Sequence, residues 1–173
     1  MCEGYDAEAQ LKTLFKTVQS GVKLLELGSG PGNDLALLLN EYEVTGSDNS
    51  SAFLDVLKNR FPDLDILKLD AISISADKKF DVIFSNKVFQ HLNDEDLRKS
   101  VNRQADILTP GGYVYHLIWQ KIESPDENFG LDFIPRSQAQ MRQILADKFE
   151  VLSMKAFAEF EDNDSLAILA KKK

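Results

Sequence analysis

The sequence predicts an α/β domain with a mostly parallel sheet, and three observations carry the prediction. Short β-branched runs alternate with segments of helical periodicity, a glycine cluster joins the first such run to the helix after it, and successive runs end on polar residues. With 173 residues, no internal repeat and no Pro/Gly/Ser-rich linker, the chain reads as one domain over 1–173.

Leu11, Leu14, Phe15 and Val18 recur at helical spacing, which predicts an amphipathic helix over 6–20. Val22 to Leu27 is a short apolar run ending in glycines, a buried strand, and residues 33–40 resume as a helix with Leu35, Leu38 and Leu39 inward. A strand over 44–48 leads to a helix over 51–60 that Ser50 or Ser51 can cap. Strands follow over 64–70 and 80–85, joined by a helix-poor stretch (71–79) in which a flanking helix is absent or one turn long. Asn93 or Asp94 caps a helix over 94–108, with Glu95 and Asp96 in the first turn where the helix dipole favours them. Thr109 to Gly112 reads as a turn and 113–118 as a fifth strand. A helix near 136–148 and two closing strands near 149–157 and 164–171 bring the count to seven strands and five helices.

Composition narrows the function. Twenty Lys and Arg against 28 Asp and Glu give a net charge of −8, which disfavours direct nucleic-acid binding because phosphate affinity needs clustered cations. The basic run Lys171-Lys172-Lys173 reads as a solvated tail. No apolar run approaches the roughly 20 residues of a membrane span. The acidic start Met1 to Asp6 lacks a signal-peptide pattern, so a cytoplasmic location is expected. A single cysteine, Cys2, and two histidines leave no disulfide framework and no zinc ligand set, so no metal is expected.

The chemical signal is Glu26-Leu27-Gly28-Ser29-Gly30-Pro31-Gly32-Asn33 at a strand-to-helix junction. Glycines there let the backbone turn tightly and approach a ligand, and the helix start offers unpaired N–H groups. A dinucleotide fingerprint wants Gly-x-Gly-x-x-Gly, but its last position is Asn33, which weighs against a nicotinamide oxidoreductase. Asp48 follows 20 residues after Gly28 at the end of the second strand, where a carboxylate can accept from ribose hydroxyls. Asp70 ends the third strand, and Ser85 and Asn86 end the fourth.

These elements in order, with Phe80 to Leu92 and the Leu108-Thr109-Pro110-Gly111-Gly112 stretch, resemble class I S-adenosylmethionine-dependent methyltransferases. The resemblance runs from about residue 22 to 118, and the closing strand pair extends it over nearly the whole chain. It implies a doubly wound, Rossmann-like seven-stranded sheet of order 3-2-1-4-5-7-6 with one antiparallel strand, and S-adenosylmethionine as cofactor. By that resemblance Gly28, Gly30 and Gly32 wrap the methionine part, with Glu26 near its amino group. Asp48 holds the ribose, Asn49 lies beside the adenine, Asp70 accepts from the adenine amino group and the Ala71 N–H meets the ring. Ser85 and Asn86 contact the methionine end.

Methyl transfer from a sulfonium needs an aligned nucleophile more than an acid or base. The fourth strand continues Ser85-Asn86-Lys87-Val88, without the Asn/Asp-Pro-Pro-Tyr/Phe run of enzymes that methylate the amino groups of DNA bases or protein glutamine. Cys2, at the chain end, does not suit a nucleophile that adds to a pyrimidine. His91 is the candidate general base, while His116, beside Val114 and Ile118 on the fifth strand, reads as a satisfied core residue. Trp119 and Phe129 can frame a small acceptor in the loop over 119–130, with Asp126 and Glu127 favouring a cation. About 21 residues precede the first strand, so the acceptor side is expected to be open, or closed by that loop, a second copy or a partner protein. The expected activity is methyl transfer to oxygen or nitrogen of a small-molecule acceptor; the alternative is a non-catalytic subunit that keeps the fold.

Overall fold

In the computed structural model, which describes residues 7–120 and 133–173, the elements run α1 (Ala7–Thr17), β1 (Lys23–Leu27), α2 (Asn33–Leu38), β2 (Glu43–Asp48), α3 (Ser51–Arg60), β3 (Ile66–Lys68) and β4 (Phe80–Asn86). A 3-10 turn (Phe89–His91) then leads to α4 (Asp94–Ile107), β5 (Leu108–Trp119), α5 (Gln138–Leu145), β6 (Phe149–Phe157) and β7 (Ser165–Lys172). Side-chain caps set several helix starts: Ser50 accepts from Phe53 N–H, Asn93 accepts from Asp96 N–H, and Ser137 and Gln140 form a reciprocal capping box.

Among the described residues one seven-stranded sheet forms, in the order β3-β2-β1-β4-β5-β7-β6. Strands β1 to β5 pair in parallel, and β7 runs antiparallel to both β5 and β6. The implied order and the single reversed strand are therefore both present. Alternate residues of the central strands feed two apolar layers, as a sheet covered on both faces requires. One layer joins Leu11 and Leu14 of α1, Leu35 and Leu38 of α2 and Leu57 of α3 to Leu24, Phe84 and Tyr115; the other joins α4 and α5 to Leu25, Ile83, Val114 and Ile118. The first helix thus forms part of the flanking layer, and Tyr115 reaches it by donating to the Gln10 carbonyl at 2.6 Å.

Two segments depart from the expected boundaries. The third strand contracts from 64–70 to Ile66–Lys68, because β3 pairs only with β2 and the chain turns at Asp70, whose carboxylate takes the N–H groups of Ile72 and Ser73. The expected turn at Thr109–Gly112 is instead a bulge inside β5, where the pairing steps from Phe80↔Leu108 to Val82↔Tyr113. The stretch over 71–79 carries no helix, as its composition predicted.

Candidate functional site

At the C-terminal edge of the parallel strands, beside the turn between β1 and α2, lies a cavity of about 530 Å3. Such edges are where open α/β sheets bind ligands. Its lining includes Gly28, Gly30, Asp48, Asn49, Asp70, Ala71, Asn86 and His91, eight of the eleven cofactor-binding and catalytic candidates of the sequence. Four separate strand ends and the 3-10 turn supply them. A second cavity of about 320 Å3 opens at the opposite edge around Asp81 and Thr109. Its carboxylate is already engaged by the Thr109 hydroxyl and the Lys23 N–H.

The glycine turn is built for two different neighbours. Gly30, at φ 52°, would place a Cβ in open space, so it is the backbone conformation and not crowding that selects glycine there. Its N–H donates to Asp48 Oδ2 at 2.9 Å, while Ser50 N–H donates to Oδ1 at 2.8 Å. Asp48 thereby ties the turn after β1 to the end of β2. Gly32 lies away from the cavity: a Cβ there would come within 2.7 Å of Phe61 and 2.8 Å of Leu57, so its glycine lets α2 start against α3.

Glu26 and Ser85 also stand behind the lining. The Glu26 side chain is 2% exposed, and its Oε2 has no hydrogen-bond partner among the described residues. Burial, reinforced by Asp34 and Asp48 and opposed by a hydrogen bond from Ser29, raises its pKa to about 8. Ser85 is fully buried, and its Oγ lies 2.9 Å from His116 Nδ1. His116 is a core residue on the face of Val114 and Ile118, as its position predicted, and burial lowers its pKa to about 3.

Beside the cavity, Asn86 donates to Asp34 at 2.7 Å, and burial raises the Asp34 pKa against the opposing pull of Asn86 and Lys87. Lys87 pairs with Glu159 at 2.6 Å and stands over the rings of Trp119 and Phe157, 5.3 and 5.2 Å from their centroids. Burial lowers the Lys87 pKa, while Glu159 pulls it back up. His91 reaches the rim on its 3-10 turn, with Gln90 Nε2 3.3 Å from its Nε2. Arg136 holds that turn: it donates to the carbonyls of Phe89 and Leu92 and to the Asp94 carboxylate. Trp119 lies at the end of β5, whereas Asp126, Glu127 and Phe129 of the expected acceptor loop, and Cys2, fall outside the described residues.

Sequence reasoning missed Phe53, Lys87, Val88 and Leu92, all of which line the cavity. A phenylalanine in the first turn of the helix that follows the Asp48-Asn49-Ser50 stretch was a readable signal for Phe53. Arg136 left none, since its partners lie more than 40 residues away. Among the described residues no cluster suits a metal ion, and no helix is long and apolar enough to cross a membrane.

A family model described as a methyltransferase domain matches residues 24–112. Trans-aconitate 2-methyltransferase of Rhizobium rhizogenes is 32% identical over 93 residues, which are 52% of this chain and 36% of that protein. The chain therefore spans well under half the length of that relative. The N-methyltransferase NodS of Bradyrhizobium japonicum, solved with S-adenosylhomocysteine, superposes with a TM-score of 0.79 at 16% identity, over 96% of this chain and 85% of that one. An S-adenosylmethionine-dependent methyltransferase of Clostridium acetobutylicum gives a TM-score of 0.81 at 13% identity, over 98% and 93%.

Proposed function

The chain belongs to the methyltransferase-domain family, and on that premise we propose that it is a class I S-adenosylmethionine-dependent methyltransferase acting on an oxygen or nitrogen of a small-molecule acceptor. The observation that carries the reading is the convergence of Gly28, Gly30, Asp48, Asn49, Asp70, Ala71, Asn86 and His91 on one cavity of suitable size.

The residues fit the cofactor. The cavity is edged by carboxylates, and the unpartnered Oε2 of Glu26 waits for a donor that the described residues do not supply. An ammonium or sulfonium nearby would favour ionisation of that carboxyl. When bound, S-adenosylmethionine supplies an electrophilic methyl group on a cationic sulfur. Asp48, already oriented by Gly30 and Ser50, keeps lone pairs for the ribose hydroxyls. Asp70 and Ala71 would face the purine, and Phe53 would offer it an aromatic surface. His91 stands at the rim, where an imidazole can accept a proton from the acceptor.

The acceptor of the R. rhizogenes relative is trans-aconitate by its name. Here Lys87, the lysine of the described cavity lining, is held by Glu159, which favours an acceptor of lower negative charge.

Thermal unfolding in the presence of S-adenosylmethionine, S-adenosylhomocysteine or NADH tests the cofactor. At about 100 times the dissociation constant a ligand stabilises by about 2.7 kcal/mol, several degrees for a chain of this size. The two adenosyl compounds are expected to shift the transition and NADH is not. Asp48→Ala should weaken S-adenosylhomocysteine by about 100-fold or more, since it removes a charged acceptor and unties Gly30. Response to NADH alone, or to none of the three, overturns the reading; silence moves the chain to the non-catalytic alternative.

A further inference from the structure

The loop from Asp70 to Ala76 reads one edge of the cavity yet has no helix of its own, and α4 holds it from behind. Ser100 Oγ donates to the Ala71 carbonyl at 2.6 Å, and Arg103 donates to the carbonyls of Ile74 and Ala76 at 3.0 and 2.9 Å. Ser100 in turn lies 3.0 Å from Gln104 Nε2, Gln104 Oε1 lies 3.0 Å from His116 Nε2, and His116 Nδ1 lies 2.9 Å from Ser85 Oγ. All four side chains belong to fully buried residues.

The terminal carbonyl sets the direction of every bond in this chain. Ala71 C=O can only accept, so Ser100 donates to it and accepts from the Gln104 amide. Gln104 Oε1 then faces His116, whose Nε2 carries the proton, and the bare Nδ1 accepts from Ser85. One peptide plane, Ala71 to Ile72, is thus held at both ends: its carbonyl by Ser100, and its N–H by Asp70 Oδ1 at 2.8 Å. That second bond, with the Ser73 N–H at 3.0 Å on the same oxygen, fixes the Asp70 carboxylate and leaves Oδ2 as the oxygen its own turn does not use. The Ala71 N–H has no partner among the described residues, and Ala71 lines the cavity.

We infer that Ser100 is a positioning residue for purine recognition, acting through the Ala71–Ile72 peptide on the Asp70 carboxylate and the Ala71 N–H; this rests on the cofactor reading above. A carboxylate acceptor beside an N–H donor matches the 6-amino group and N1 of adenine. Hypoxanthine presents the reverse pattern, a 6-oxo acceptor and an N1–H donor. A site built in this way rejects the mismatched base because its own polar groups would be left unpaired.

The test is calorimetric binding of S-adenosylhomocysteine and S-inosylhomocysteine to the full chain and to Ser100→Ala, with folding checked by thermal unfolding. The wild type should prefer the adenosyl compound. In Ser100→Ala its affinity should fall about tenfold while the inosyl compound is little changed, so the preference shrinks by the same factor. A general loosening of the fold would weaken both compounds alike and preserve the ratio, and that result overturns the inference. Ser100→Cys, which keeps a weak donor of similar size, carries the same comparison if the alanine variant does not fold; its ratio should fall below that of the wild type, and an unchanged ratio overturns the inference. Equal affinity of the wild type for both compounds removes the purine reading. Failure to bind either one removes the cofactor reading itself.

Discussion

Two buried ionisable groups, on the strands that flank β4 in this sheet, are treated in opposite ways. His116 is fully buried with a partner on each ring nitrogen, inside a hydrogen-bond chain that ends on a backbone carbonyl. Glu26 is almost as buried, yet one of its carboxyl oxygens has no partner among the described residues. A completed network rigidifies a core, whereas an uncompleted one costs free energy that only a ligand can recover. The difference separates scaffold from site more sharply than burial does. Burial, which the two groups share, shifts each toward its neutral form, His116 down to about 3 and Glu26 up to about 8.

Breaking the complete side should cost most. His116→Leu strands the Ser85 hydroxyl and the Gln104 carbonyl in the core, for a loss of about 3 kcal/mol, or roughly 6–12 °C in a thermal scan. A variant with unchanged Tm would show that the chain of bonds contributes nothing to the scaffold.

Completing the unfinished side should act through pH. Native Glu26 keeps its proton between about 4.5 and 8 while the unfolded chain gives it up, so stability declines as pH rises through that window. For His116 the unfolded chain binds the proton below 6.5 and the native state does not until about 3, so stability declines as pH falls through that range. The two slopes oppose each other between 4.5 and 6.5 and leave a plateau there. Glu26→Gln should remove the alkaline decline and gain on the order of 2 kcal/mol at pH 8, read from urea midpoints across pH. Persistence of that decline in the variant would assign it to another group.

The smallest effect belongs to Phe53, which lines the cavity and joins no core cluster. Phe53→Ala should weaken S-adenosylhomocysteine by about fivefold, near 1 kcal/mol, with Tm unchanged. A fall in Tm without a change in affinity would move this residue to the scaffold side of the comparison.

The strand pattern and the polar strand ends were legible because they follow from local periodicity and spacing. Asp48 and Asp70 stood out for that reason, and both line the cavity. What local pattern did not hold was the use made of each residue by distant neighbours. Gly32 reads like its two companions in the motif, but Leu57 and Phe61, brought up by α3, decide its role. Ser85 reads like a strand-end ligand, but the β4–β5 register places it directly opposite His116. The turn at Thr109 to Gly112 has turn composition and becomes a bulge because β4 continues alongside it.

The reversed strand has a further consequence, for synthesis. β7 is the last of the seven strands in chain order yet fills an interior place, between β5 and β6. Between Trp119 at the end of β5 and Ser165 at the start of β7 lie about 45 residues, which take roughly 2–9 s to translate at about 5–20 residues per second. Throughout that interval β5 offers an unpaired edge, from Tyr113 to Trp119, that only β7 covers in the finished sheet. The nascent chain is therefore most exposed to mispairing after most of its cavity-lining strand ends have already been made, and a chaperone that shields β5 would act at that point.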